Sequence, residues 1–230
     1  MLAMAGMMMG VAAGGGGAYA RVGGNANALD TVTSLAVNPG VTVQVNDDVL
    51  VGIFASAGTA AGDTVVDNLG NTYTAVFQAS LGAFWRAKVT VAGSLSAVTY
   101  TPTATNNVVI HVDVLRGGGA SNTVEGTTVG TYSSNPGTAT DGIASPSHSA
   151  PGVNGCFVWG FCASYSSATA TLTTGTGFTV ATSKLANLYS SLSEYLVQGT
   201  SGAIAATFTD ATNGGSRSFY RLCAILSPAP

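Results

Sequence analysis

From about residue 31 onward, apolar residues come in short runs separated by clusters of Gly, Asn, Asp, Ser and Pro. The runs predict strands at 33–37, 49–55, 72–78, 83–89, 97–103, 108–115, 156–163, 178–182, 189–197, 203–208 and 219–226. Their spacing is that of a β-sandwich or barrel, and no stretch carries a convincing helical period. Residues 108–115 alternate cleanly: Val108, Ile110, Val112 and Val114 share one face, and Val109, His111, Asp113 and Leu115 the other. That is the pattern of a half-buried antiparallel strand. By contrast, 49–54 and 157–161 are apolar on both faces, which predicts central strands whose outer face is covered by a loop or a neighbouring subunit.

These runs repeat. Val49-Leu50-Val51-Gly52-Ile53-Phe54 resembles Cys156-Phe157-Val158-Trp159-Gly160-Phe161, and Gly70-Asn71-Thr72-Tyr73-Thr74 matches Gly175-Thr176-Gly177-Phe178-Thr179. Trp85-Arg86-Ala87 corresponds to Glu194-Tyr195-Leu196, Val98-Thr99-Tyr100-Thr101 to Ala206-Thr207-Phe208-Thr209, and 108–115 to 219–226. The expected layout is one domain over 31–230, an all-β two-sheet antiparallel sandwich. Two related halves, about 46–117 and 153–228, close on each other to bury one shared core. Residues 117–153, rich in Gly, Ser, Thr and Pro, read as the crossover, and 1–30 as a Gly/Met-rich arm.

Two further motifs carry a family resemblance. Asn46-Asp47-Asp48-Val49-Leu50-Val51-Gly52, followed by Val66-Asp67-Asn68-Leu69-Gly70-Asn71-Thr72-Tyr73-Thr74, resembles a module of phage and bacterial surface sequences. Those modules read "LVVGV", then "VTDSAGNTYT", and end in a valine-rich strand near "YSGL", here Val112-Asp113-Val114-Leu115-Arg116-Gly117. The resemblance spans roughly 31–228 and rests on turn and strand signals, which specify fold better than function. It implies a jelly-roll sandwich of the kind found in phage structural or appendage proteins and bacterial surface proteins. No catalytic residues come with it.

Composition sharpens this. Only 7% of the 230 residues are charged, with a net charge of -3, against roughly 25% in an average domain. A surface so poor in charge is expected to be covered by copies of the chain or by a partner. The seven basic residues are scattered, which argues against nucleic-acid binding. Cys156, Cys162 and Cys223 sit in apolar strands and read as small buried hydrophobes, with one bridge to Cys223 left open. The first 20 residues carry no charged side chain, yet Gly14 to Gly17 interrupt them, so a membrane-spanning helix is not expected. Leu2, Met4, Met7, Met8, Met9 and Val11 are candidate partner-binding residues of an arm, 1–24, that orders against neighbouring subunits.

The search for reaction chemistry returns little. Both histidines, His111 and His148, lack a G-x-S-x-G partner motif. His111 and Asp113 share a strand face, a spacing that reads as structural. Glu125 and Glu194 make no recognisable glycosidase pair, and no zinc or phosphate-loop spacing occurs. Asp63, Asp67, Asn68 and Asn71 offer calcium-type oxygens, although an Asx-bonded turn accounts for the same residues. Tyr132, Tyr165 and Tyr189 are candidate sugar-stacking residues, while Trp85 and Trp159 read as core. The expectation is a non-enzymatic virion structural protein without cofactor: a capsid-decorating (cement), head-fibre or tail-accessory subunit. It would be homo-oligomeric, would contact a major capsid or tail protein, and would bind neither nucleic acid nor membrane. The alternative is a carbohydrate-binding adhesive module at a bacterial cell surface.

Overall fold

The computed structural model describes residues 18–79, 81–134, 141–148, 154–166, 170–186, 188–211 and 217–228, and every regular element among them is a β-strand. The first repeat contains β1 (Ala20–Val32), β2 (Leu35–Val37), β3 (Val41–Val43), β4 (Asp48–Ala55), β5 (Thr64–Asp67), β6 (Tyr73–Ala79), β7 (Gly82–Lys88), β8 (Gly93–Leu95), β9 (Val98–Thr101) and β10 (Asn106–Arg116). The second contains β11 (Thr123–Ser134), β12 (Asp141–Ala144), β13 (Phe157–Tyr165), β14 (Leu172–Thr174), β15 (Thr179–Ala186), β16 (Tyr189–Val197), β17 (Thr207–Asp210) and β18 (Arg217–Ser227).

The two repeats share one topology. A five-stranded sheet runs β1-β10-β4-β7-β6 in the first and β11-β18-β13-β16-β15 in the second. Opposite it lies a three-stranded sheet, β2-β9-β5 or β12-β17-β14. The short β3-β8 ladder of the first repeat is reduced in the second to a single bridge between His148 and Ile204.

The sandwich class and the two related halves stand as expected, but the layers are arranged differently. Each repeat closes its own core. Val49, Val51, Ile53, Trp85, Tyr100, Ile110 and Val112 pack together in the first, and Cys156, Val158, Cys162, Phe208, Phe219 and Ile225 in the second. A third apolar cluster lies between the two five-stranded sheets, built on Leu50, Phe54, Phe84, Phe157, Trp159, Phe161 and Tyr220. The molecule is therefore two sandwiches stacked face to face, not one sandwich shared by two half-domains. This is why β4 and β13 are apolar on both faces: one face fills the repeat's own core and the other fills the seam.

The difference traces to strands that carry weak hydrophobic signals. Residues 20–30, expected in the arm, form most of β1 at the edge of the first sheet, paired antiparallel from Ala20↔Arg116 to Val32↔Asn106 with register shifts at Arg21/Gly23 and Leu29/Val32. Gly24 explains why that stretch reads as loop: a Cβ there would meet the Val112 carbonyl oxygen at 2.2 Å. Only a residue without a side chain fits so close an approach. In the same way, the expected crossover 117–153 holds β11 and β12. β1 and β11 thus form edges of the two five-stranded sheets, and β12 forms an edge of the second repeat's three-stranded layer. Cys156, Cys162 and Cys223 are buried, and none of them is in a disulfide.

Candidate functional site

The seam places β10 over β16, β4 over β13 and β7 over β18, and β1 lies along β15. Since β1, β10, β4, β7 and β6 correspond to β11, β18, β13, β16 and β15, the two repeats meet about a pseudo-twofold axis through the β4–β13 crossing. At that crossing Gly52 leaves room for Trp159, whose Cη2 would lie 2.5 Å from a Cβ.

On the β10–β16 side the seam holds a buried polar network. Asp113 and His111 are both 0% exposed. Asp113 Oδ1 accepts from Arg21 Nε at 2.8 Å and pairs with Nη2 at 2.7 Å. Its Oδ2 accepts from Trp159 Nε1 at 2.8 Å and from Ser193 Oγ at 3.0 Å. All of these partners are donors, as a carboxylate requires. Burial pushes the Asp113 carboxyl up, and the Arg21 charge and these hydrogen bonds draw it back.

The same network holds both nitrogens of His111. Ser191 Oγ lies 2.8 Å from Nε2 and 3.2 Å from the Lys184 carbonyl oxygen. Nδ1 lies 2.6 Å from the Thr182 hydroxyl, which is 2.8 Å from Ser193 Oγ. The Ser193 hydroxyl lies 3.2 Å from Nδ1 with its proton committed to Asp113, and it accepts from the Thr182 amide at 3.1 Å. Burial, with no compensating charge, lowers the imidazole to about 3 and keeps it neutral. In a hydrolase triad the carboxylate orients the histidine and the histidine activates the serine. Here the carboxylate binds the serine, and the second serine lies against a backbone carbonyl. A depression of about 190 Å³ bordered by Leu172, Lys184, Leu185 and Ser191 touches the network's rim, with the imidazole sealed behind it.

A second polar cluster closes the end of the seam where the chain crosses between sandwiches. Asp48, also fully buried, pairs with Arg86 at 2.7 Å and Lys88 at 3.2 Å. Asn122 and Tyr19 complete it, and Tyr19 Oη donates to the Ser227 carbonyl at 2.8 Å. Arg86 and Lys88 share a face of β7, and their charge is turned inward onto Asp48.

The remaining candidates disperse. Asp67 Oδ1 accepts from the amides of Leu69 and Asn71, and its Oδ2 from Asn71 Nδ2 and Tyr73 Oη. Asp63 accepts from Tyr100 Oη at 2.6 Å and from the amides of Ala60 and Thr103. Both carboxylates are thus committed to holding turns, and Asn68 bonds Ser94, Ser96 and Ala97. The sugar-stacking expectation fails for Tyr189, which is buried with its hydroxyl on the Leu29 carbonyl and Asp30. Tyr165 is 36% exposed and lies against Tyr189 at 5.2 Å between ring centroids. Tyr132 belongs to β11, and its side chain falls outside the described residues, as do Leu2, Met4, Met7, Met8, Met9 and Val11. The expected ordering boundary at residue 24 is corrected: Tyr19 and Arg21 are integral to the two clusters.

Sequence reasoning missed Arg21, Thr182, Ser191, Ser193 and Asn122 as network members. Three of them are short hydroxyl residues in strands, a background too common to signal on its own. No protein-family profile, no curated protein and no solved structure matches this chain.

Proposed function

We propose that the chain is a non-enzymatic structural subunit of a phage-like particle, working as a capsid-decorating, fibre or tail-accessory component among copies of itself. The observation that carries this reading is where the charge goes. Six of the ten carboxylates are buried: Asp47, Asp48, Asp63, Asp113, Glu194 and Asp210. Four of the seven cations, Arg21, Arg86, Lys88 and Arg116, form internal ion pairs. The outer surface is left poorer in charge than the composition implies, and it displays Val45, Val66, Val91, Val180 and Leu185, each close to half exposed or more. Such a surface suits permanent coverage by neighbours better than life as a free monomer.

Strand order adds support. Counting β2/β3 and β8/β9 as single bent strands, the first sandwich runs 1-8-3-6-5 opposite 2-7-4, which supports reading it as a jelly-roll variant with the fifth strand in the larger sheet. That architecture is common in particle-forming proteins. The sealed state of His111, Asp113 and the two serines fits a scaffold role for the seam. The adhesive alternative loses one of its three stacking candidates with Tyr189 buried.

The test is labelling of particles from the source culture with antibody raised against the purified chain. Regular labelling of intact particles is expected. Abundant protein in the particle-free fraction with unlabelled particles would overturn the reading. Within it, deleting residues 1–17 should leave the chain folded and remove it from the particle. Deletion through Gly24 should unfold the first sheet's edge, because it removes Tyr19, Arg21 and the start of β1.

A further inference from the structure

Where the chain passes from the first sandwich to the second, three reactive groups converge on one amide. Asn122 lies just before β11 and is buried. Its Oδ1 accepts from Lys88 Nζ at 2.5 Å and from Arg86 Nη2. Its Nδ2 donates to Asp48 Oδ2 at 2.5 Å and to Tyr19 Oη at 2.7 Å. Lys88 Nζ also reaches Asp48 Oδ2 at 3.2 Å and the Gly119 carbonyl at 2.7 Å. A primary amine, a carboxamide, a buried carboxylate touching both, and a guanidinium on the amide oxygen are thus in mutual contact.

We propose that Lys88 and Asn122 form an intramolecular isopeptide bond, with Asp48 moving the protons and Arg86 polarising the amide carbonyl. Because Oδ1 is about 1.23 Å from its carbon, Nζ at 2.5 Å from Oδ1 is no more than about 3.7 Å from Cγ, close to attack distance. The Lys88 ammonium passes one proton to Asp48. Burial assists by lowering the lysine, and the Asp48 charge opposes it. The free amine then bonds to Cγ, and the carbonyl electron pair moves onto Oδ1, where the Arg86 guanidinium holds the developing negative charge. As the carbonyl re-forms, the Cγ–Nδ2 bond breaks and Nδ2 takes the proton from Asp48. The carboxylate then relays the surplus proton from the new amide nitrogen to the departing ammonia. The balance is one ammonium plus one carboxamide going to one secondary amide plus one ammonium ion, with no change in oxidation state and no co-reactant. Asp48 is the catalytic residue of this single-turnover step, since it contacts both nitrogens.

The bond ties the end of β7 to the chain entering β11, locking the junction of the sandwiches covalently. It is independent of the proposed function, and any chain exposed to shear or proteolysis would gain from it.

Intact-mass measurement of the full folded chain tests the idea. The wild type should be lighter than its sequence by one ammonia, about 17 Da. Proteolysis should release a branched peptide joining the Lys88 and Asn122 segments. Lys88→Arg keeps the charge and removes the nucleophile, and Asn122→Ala removes the electrophile. Each should return the mass expected for its own sequence and yield only linear peptides. Asp48→Asn should do the same while still showing the wild-type far-UV signature. A folded wild type at full sequence mass after prolonged incubation overturns the proposal. So does ammonia loss without a branched peptide, the sign of a succinimide formed elsewhere.

Discussion

The two flanks of the seam are related by the pseudo-twofold axis, yet they are built from opposite materials. On the β7–β18 flank Phe84 stacks on Trp159 with centroids 5.6 Å apart, Tyr220 lies over Gly82, and Leu222, Ala224 and Leu226 fill the gaps. On the β10–β16 flank, the ladders place His111 and Asp113 where the second repeat has Ala224 and Leu226, and Ser193 where the first has Gly82. One flank supplies nondirectional burial; the other supplies bonds that form in one register only. Apolar faces related by symmetry tolerate slippage by two residues, because the strand period preserves which side chains point inward. The Asp113 and His111 bonds do not tolerate it. Buried area holds the sandwiches together, while the polar flank favours one way for them to meet.

The largest break in this comparison should come from Asp113→Ala. It leaves Arg21, Trp159 Nε1 and Ser193 facing a void, and breaking a buried ion pair costs about 3–5 kcal/mol. Urea unfolding measures it. The paired change Arg21→Met with Asp113→Leu, which copies the apolar flank, should cost much less than Asp113→Ala alone.

On the other flank, Gly82→Ala should be next in size. A Cβ there would approach the Tyr220 ring to 2.2 Å, and overpacking of this kind costs about 1–3 kcal/mol by the same assay.

Glu194 lies on the opposite face of β16 from Ser193, accepting from the amides of Gly175 and Thr207, and sharpens the comparison through pH. Burial pushes its carboxyl up from 4.5 to about 8. Between those values the folded chain holds a proton that the unfolded chain has lost, so stability should fall as pH rises from about 4.5 to 8. Unfolding midpoints across that range should show the decline, and Glu194→Gln should flatten it.

The smallest effect belongs to Tyr220→Phe. The hydroxyl is buried with no hydrogen-bond partner among the described residues, so its removal should leave stability within about 1 kcal/mol of wild type, or raise it.

Sequence pattern was a good guide to strands with strong alternation or continuous apolar character, and a poor one to Gly-, Asn- and Thr-rich edges. β4, β10, β13 and β18 were legible because their side chains fill cores. β1 and β11 were not, since edge strands bury less and Gly24 is selected by a close contact invisible in sequence. Motif matching aligned Val112 with Cys223, whereas the ladders align it with Ile225 through Val51 and Val158. An offset of two preserves which face is buried and so leaves no hydrophobic signature. The doubly apolar strands were read correctly as covered on both sides, but the cover proved to be the other repeat. His111 and Asp113 were recognised as a same-face pair; their partners on β1, β13, β15 and β16 come from distant sequence and only the fold assembles them.

The polar flank is sealed, with a neutral histidine at its heart. NMR titration of the His111 imidazole tests it most directly. A neutral imidazole is expected to persist down to about pH 4 and to protonate near 3, where the native signals are lost with it. A reversible titration near 6.5 in the folded chain would contradict it, since that requires an imidazole open to water.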